Sequence, residues 1–171
     1  MAIDEAVKAA IEERKGFVII LAGSDSDKPH INKVSEELDK YGIRHQVRIC
    51  SAHKQPRELA GIIEEVDQIL GTVVYIAIAG GTDALSGTVS FLSKRPVISC
   101  PSDGNNTTLT NPLGSSNATV LRPQNAARFI AQMFSSLDER YARILREEVD
   151  KKVRALEEAD ARLRQFPYRR E

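Results

Sequence analysis

Hydrophobic positions divide the chain into short apolar runs separated by longer amphipathic segments. Four of the five runs consist almost entirely of Val, Ile, Leu and Ala, which is typical of parallel strands covered on both faces. The predicted strands are residues 17–23, 44–50, 73–81, 96–100 and 118–123. The second run alternates apolar and polar residues and therefore predicts a half-buried strand at the edge of the sheet.

Between the runs, apolar residues recur every three or four positions, which predicts helices over residues 27–42, 56–71, 84–94 and 124–137. A short amphipathic helix is also predicted within Met1 to Lys15. Regular alternation of strands and helices indicates an α/β fold with a three-layer, doubly wound parallel sheet. An edge position for the second strand fits the flavodoxin-like strand order 2-1-3-4-5.

The chain changes character after residue 137. Residues 138–166 are highly charged and contain neither glycine nor proline, and their apolar residues form one narrow stripe with a mean spacing of about 3.6. We therefore predict one α/β domain over residues 1–137 and a C-terminal helical extension over 138–171. A helix this polar is marginal alone, so we expect it to dock on its own domain or on a neighbouring subunit.

Charge and cysteine content narrow the possible partners. Lysine plus arginine equals aspartate plus glutamate, at 24 each, which argues against nucleic acid or a membrane surface as the main partner. No apolar run reaches the length of about 18 residues that spans a bilayer. Cys50 and Cys100 have no metal-ligand spacing, and we expect reduced thiols in a cytoplasmic protein.

Polar residues follow the first predicted strand in "GSDSD", residues 23–27. In an open parallel sheet, ligands bind outside the carboxyl ends of the strands, near the point where strand order reverses. Backbone amides at the following helix start, together with Ser24, would suit a phosphate, whereas Asp27 suits a ribose hydroxyl. The alternative is a well-capped helix without a ligand.

"SAHK", residues 51–54, follows the second strand. Lys54 can add positive charge beside the same phosphate, Ser51 can donate a hydroxyl, and His53 is a candidate for proton transfer. The alternative is a surface histidine in a turn. Of the other histidines, we expect His45 to pack in a half-buried position on its strand and His30 to lie on the surface.

Two further turns complete the predicted site. After the third strand, Gly80 and Gly81 permit close approach to a planar ligand, and Thr82 or Asp83 can cap a helix whose amides could hold a carboxylate. The alternative there is an ordinary tight turn. The polar loop over residues 101–117 follows the fourth strand, and Ser102 with the Asn105–Asn106 pair could cover the site. Together the four turns favour an enzyme that acts on a nucleotide-like substrate.

The motifs "GSDSD", "SAHK", "IAGG…ALSG" and "PVISCP" together resemble the phosphoribosylaminoimidazole carboxylase family of purine biosynthesis. The resemblance runs from about Phe17 to Leu137. One branch of that family carboxylates aminoimidazole ribonucleotide directly with carbon dioxide. The other is a mutase that moves the carboxylate of N-carboxyaminoimidazole ribonucleotide from nitrogen to a ring carbon.

Several residues resemble the direct carboxylase branch. Lys54 stands where mutases usually have arginine, and Ala84 takes the place of a second mutase histidine. Gly81, by contrast, resembles the mutase, and Asp83 is unusual for either branch. The resemblance therefore implies a carboxylase, with the mutase as the alternative and a non-enzymatic nucleotide-binding module as the alternative from another class.

The resemblance also implies roles for individual residues. His53 is expected to be the general acid/base. The positions expected to bind the nucleotide are Ser24, Asp27, Ser51, Lys54, Gly80 and Thr82. No metal or organic cofactor is expected, the partners are the nucleotide and carbon dioxide, and family members form homo-octamers.

Overall fold

Five parallel strands form one sheet in a computed structural model that describes residues 3–105 and 107–170. The strands are β1 (Phe17–Ala22), β2 (Arg44–Ile49), β3 (Val73–Ile78), β4 (Val97–Ser99) and β5 (Asn117–Thr119). Their spatial order is β2-β1-β3-β4-β5, and every pairing is parallel. The predicted flavodoxin-like order is therefore confirmed.

Six α-helices accompany the strands in the described residues. They are α1 (Glu5–Glu12), α2 (Lys28–Lys40), α3 (Pro56–Gln68), α4 (Ala84–Leu92), α5 (Pro123–Phe134) and α6 (Glu139–Leu163). Proline lies in the first turn of α2, α3 and α5, where its missing N–H costs no helical hydrogen bond. Each helix ends within a few residues of its predicted boundary.

Two hydrophobic clusters, one on each face of the sheet, give the fold three layers. On one face, the apolar sides of α2, α5 and the start of α6 pack against alternate residues of β1 and β3. On the other face, α1, α3 and α4 cover the remaining residues of the same strands. All residues of β1 and β3 are consequently buried, which explains their uninterrupted apolar sequence.

Strand β2 lies at the edge as predicted, but its apolar side is not the buried one. Val47 and Ile49 are 38% and 45% exposed, whereas Arg44, Gln46 and Arg48 are half-buried. The alternation thus marks a partly exposed apolar strip, formed by Val47 and Ile49, on the surface of this chain.

The segment after β4 is more ordered than a plain loop. It contains a 3₁₀ turn at Thr107–Thr110, in which Thr108 is buried and its hydroxyl lies 2.6 Å from that of Thr119. Strand β5 is three residues long and begins one residue earlier than predicted. It ends at Thr119, since the chain enters α5 at Pro123. The predicted strand over 118–123 was therefore too long.

The polar C-terminal stretch is a single helix of 25 residues, α6, about 38 Å long. Its first turn packs on the domain: Tyr141 is buried, donates a hydrogen bond to the Lys15 carbonyl and stacks at a tilt on Phe134. Tyr41 of the domain donates to Glu148 at 2.6 Å. Beyond that point the apolar stripe is exposed, with Leu156 at 72%. None of the described helices has the length and hydropathy to cross a bilayer.

Candidate active site

The strand register aligns the carboxyl ends of the three strands nearest the topological switch point. Ala22 of β1 pairs with Ile49 of β2 and with Ile78 of β3. The residues that follow these strands therefore start at the same level, and the Gly23 amide donates to the Ile78 carbonyl at 2.9 Å. Strand β1 lies between β2 and β3. Helix α2, which follows β1, and helix α4, which follows β3, lie on opposite faces of the sheet. Their divergence opens a crevice at the carboxyl ends of β1 and β3.

A cavity of about 340 Å³ occupies this crevice. It is enclosed by the turns after β1, β2 and β3 and by the start of α4. Its lining residues are Gly23, Ser24, Ser26, Asp27, Ser51, Ala52, His53, Lys54, Ala79, Gly80, Thr82, Ala84 and Leu85. All seven residues predicted as catalytic or binding groups lie in this lining, so the structure brings them together.

The turn after β1 is held by its own serine hydroxyls. Ser24 accepts a hydrogen bond from the Ser26 amide at 3.2 Å and another from the Ser26 hydroxyl at 2.8 Å. It thus caps a 3₁₀ turn, Asp25–Asp27, which precedes α2. The sequence did not predict this extra turn. It moves the start of α2 to Lys28, so the capping hydroxyls and Asp27, rather than the first α-helical amides, face the cavity.

The turn after β2 presents His53 and Lys54 to solvent at the cavity rim. Ser51 fixes this turn, because its hydroxyl oxygen accepts from the Lys54 amide at 3.3 Å and its carbonyl accepts from the Gln55 amide at 2.8 Å. Both His53 and Lys54 are exposed in this chain. The imidazole is therefore reachable by a ligand that enters the cavity.

The turn after β3 supplies the apolar wall and a tight backbone. Ala79, Ala84 and Leu85 line the cavity beside Gly80, as predicted. A methyl group on Gly80 would stand 3.2 Å from the Asp103 carboxylate, so a side chain there would crowd the loop behind it. Gly81 has a φ of +64°, a left-handed conformation that glycine adopts without strain.

Asp83 is only 3% exposed and faces away from the cavity. One carboxylate oxygen accepts from the Ser86 amide at 2.9 Å, and the other accepts from the Ser99 hydroxyl at 2.9 Å. Asp83 is therefore the cap of α4, one of the two caps that we considered. The expectation that the first amides of α4 hold a ligand carboxylate is wrong at Ser86, because Asp83 occupies that amide.

The loop after β4 contacts two of the turns that line the cavity, those after β1 and β3. The Ser102 hydroxyl donates to Asp27 at 2.7 Å, in line with its predicted covering position. Asp103 accepts from the Gly81 amide at 2.7 Å, and Asn105 donates to Asp103 through both its backbone and its side chain. Asn106 lies outside the described residues.

The sequence analysis missed Asp103, which lies outside the cavity lining but contacts the turn after β3 at Gly80 and Gly81. It lies in a polar loop with several other donors and acceptors, and no spacing distinguishes it from them. Hydrogen bonds from the Gly81 and Asn105 amides hold the pKa of its carboxyl group below the ordinary value, so the group is an anion at neutral pH.

The other two histidines lie outside the cavity lining. His45 is half-buried as expected, with Nε2 2.6 Å from the Ser35 hydroxyl. The surface position expected for His30 is wrong: His30 is half-buried, with Nε2 3.4 Å from Cys100 Sγ. Burial lowers the pKa of His30 and raises that of Cys100 to about 12, which suits a neutral structural pair. Both cysteines are free and buried.

Comparison with known proteins decides the family. The family model described as AIR carboxylase matches residues 17–155. The chain belongs to the AIR carboxylase family. It is 35% identical to phosphoribosylaminoimidazole carboxylase of Treponema denticola over 155 residues, which cover 86% of this chain and 98% of that protein.

A second relative and a solved structure support this assignment. A protein of Archaeoglobus fulgidus, also named phosphoribosylaminoimidazole carboxylase, is 32% identical and aligns with 85% of this chain and 84% of its own length. The crystal structure of Treponema denticola PurE matches with a TM-score of 0.81 and 34% identity, covering 88% of this chain and 99% of that one. The match to PurE confirms the α/β fold with its parallel sheet, and the family places the enzyme in purine biosynthesis.

Proposed function

We propose that this enzyme carboxylates aminoimidazole ribonucleotide at a ring carbon with carbon dioxide and gives carboxyaminoimidazole ribonucleotide. The observation that carries the proposal is the convergence of His53 with the serine–aspartate turn on one cavity at the switch point. The cavity offers a polar side at Ser24, Asp27 and Lys54 and an apolar side at Ala79 and Leu85. A nucleotide with a phosphate at one end and a planar ring at the other fits that polarity.

In the proposed binding mode, Ser24, Ser51 and Lys54 hold the phosphate and Asp27 accepts hydrogen bonds from the ribose. Gly80 and Thr82 then border the imidazole ring, beside Ala79. The Ser102 hydroxyl donates to Asp27, which leaves the carboxylate fixed in orientation when the ribose arrives. A fixed acceptor loses less entropy on binding than a free side chain.

In the proposed reaction, the electron-rich ring carbon attacks carbon dioxide and forms a carbon–carbon bond. One C=O electron pair moves to oxygen and becomes the new carboxylate. The ring carbon is then tetrahedral and still carries its hydrogen. His53 takes that proton, and the C–H electron pair restores the aromatic ring. Histidine is the side chain that most often performs such proton transfers in enzymes.

The cavity lining favours direct carboxylation over the mutase reaction. Among the described lining residues, His53 is the one imidazole. The family resemblance implies that Ala84, which also lines the cavity, takes the place of the second mutase histidine. Lys54, rather than arginine, follows the histidine. Both features match the direct carboxylase branch, although Gly81 at the same site matches the mutase.

Parallel incubations test this function. We expect aminoimidazole ribonucleotide with bicarbonate as a source of carbon dioxide to give the carboxylated product, and the N-carboxylated ribonucleotide to be converted only after it loses carbon dioxide. Adding carbonic anhydrase and isotopically labelled bicarbonate distinguishes the routes, because direct carboxylation incorporates the label. Transfer without label would establish the mutase. Binding of the nucleotide without any turnover would support the alternative, a non-enzymatic nucleotide-binding module.

We further propose that the enzyme is a cytoplasmic homo-oligomer, an octamer as the family resemblance implies. The buried free thiols suit a reducing compartment. A second copy would cover the apolar surfaces that this chain leaves exposed: Val47 and Ile49 on β2, Phe91 on α4 and Leu156 on α6. Sedimentation velocity should give a mass several times 18.9 kDa. A monomer at micromolar concentration would contradict the proposal.

A further inference from the structure

We propose that Asp103 is a specificity-determining residue that competes with the carboxylate of a bound nucleotide for the Gly81 amide. This inference rests on the proposed function, because it concerns which form of the nucleotide the cavity prefers. Asp103 Oδ2 accepts from the Gly81 amide at 2.7 Å and lies close behind Gly80, which lines the cavity.

The turn after β3 borders the cavity through Ala79, Gly80 and Thr82, where the proposed binding mode places the ring. The turn from Gly80 to Asp83 has the left-handed Gly81 in its middle, and turns of this kind can present backbone amides to an anion. The Asp83 amide donates to the Thr107 hydroxyl at 3.1 Å, and the Ser86 amide donates to the Asp83 carboxylate. The amide of Gly81 donates to Asp103, so three amides of this region are satisfied from within the protein.

Two of those three acceptors are carboxylates, but they differ in how easily they can be displaced. Asp83 is buried and held by the Ser86 amide and the Ser99 hydroxyl. Asp103 is exposed, and its other partners belong to Asn105 of the same loop. A ligand carboxylate can therefore replace Asp103 at Gly81 without opening the core, whereas it cannot replace Asp83.

The negative charge of Asp103 determines whether the cavity prefers the carboxylated or the uncarboxylated nucleotide. Aminoimidazole ribonucleotide has no carboxylate on its ring and leaves the Asp103–Gly81 hydrogen bond in place. The carboxylated product and the N-carboxylated ribonucleotide each bring a second anionic group to the same end of the cavity. Lys54 is the single cationic lining residue among those described, and it lies on the turn after β2. Asp103 therefore disfavours both carboxylated forms and promotes release of the product.

Replacing Asp103 by asparagine tests this competition. Asp103→Asn removes the charge. Because asparagine has only one acceptor oxygen, its NH₂ group must face either the Gly81 amide or the Asn105 donors, and that hydrogen bond is lost. Asp103→Ala removes the acceptor altogether. In both variants we expect the Kd of the carboxylated ribonucleotide to fall relative to that of aminoimidazole ribonucleotide by about tenfold, the value of one hydrogen bond to a charged acceptor.

The ratio of the two dissociation constants, measured by calorimetry, is the informative quantity. A loosened loop would change the binding of both nucleotides and leave their ratio unaltered, whereas competition at Gly81 changes the ratio. Asp160→Asn on the exposed part of α6 makes the same change in net charge far from the cavity, and we expect it to leave the ratio at the wild-type value.

The possible outcomes separate this assignment from the proposed function. A ratio that shifts toward the carboxylated form in both Asp103 variants supports the assignment. A wild-type ratio in either variant, or a shift toward the uncarboxylated form, overturns it and leaves the proposed function intact. Failure of the wild-type protein to bind either nucleotide overturns both.

Discussion

Replacing His53 by asparagine should lower kcat by about a hundredfold to ten-thousandfold, the usual range for a positioned general base. Asparagine keeps a hydrogen-bonding side chain of similar size but cannot take up the proton from the ring carbon. Because His53 lies at the rim of the cavity and is exposed, its loss leaves the fold and most of the binding surface unchanged. We therefore expect the Kd for aminoimidazole ribonucleotide to change by less than about threefold, since no buried contact is removed.

The matched control is His45→Asn. His45 lies on β2 outside the cavity lining, and its Nε2 contacts the Ser35 hydroxyl. We expect kcat to stay near the wild-type value in that variant. Steady-state assays of both variants in parallel give the two kcat values. A wild-type kcat for His53→Asn would show that His53 is not the general base.

The second large effect is expected at Lys54. Lys54→Ala should raise KM for the nucleotide by about tenfold to a hundredfold, the value of one hydrogen bond between charged groups. We expect kcat to change much less, because the phosphate is remote from the reacting carbon and its contact is equally strong in the ground and transition states.

Lys40→Ala serves as the control, since Lys40 lies at the far end of α2 and pairs with Glu37 at 2.7 Å. Raising the salt concentration should weaken the wild-type enzyme's binding more than that of Lys54→Ala, because screening acts on the charge that the variant lacks. Equal KM values for Lys54→Ala and the wild type would show that another group holds the phosphate.

The fold could be predicted because burial on both faces leaves a strong signal in the sequence. Strands β1 and β3 are uninterrupted apolar runs, and the glycines and prolines beside the helices mark their ends. Strand β5 lacked such a signal: it is three residues long with half-buried and exposed side chains. On β2, the alternating residues correctly indicated an edge strand, but the pattern did not reveal that Val47 and Ile49 are its exposed residues.

The cavity could be predicted as well, because parallel strands bring the residues that follow them to one edge. From the position of these residues after the strands, the sequence predicted that Ser24, His53 and Thr82 border one cavity, and they do. It could not predict how each turn uses its own amides. The sequence left open whether Thr82 or Asp83 caps α4, and the structure shows that Asp83 does. The contact of Asp103 with the Gly81 amide joins residues 22 positions apart, and no sequence pattern indicates it. These contacts occupy the Ser86 and Gly81 amides, which the sequence alone left available to a ligand.

A crystal structure of the enzyme with aminoimidazole ribonucleotide is the most direct test of the central claim, that His53 and the serine–aspartate turn serve one ligand. We expect the phosphate beside Ser24 and Lys54, the ribose on Asp27, and the reactive ring carbon about 3–3.5 Å from a nitrogen of the His53 imidazole. A nucleotide bound outside this cavity, or bound with its phosphate rather than its ring beside His53, would contradict the account.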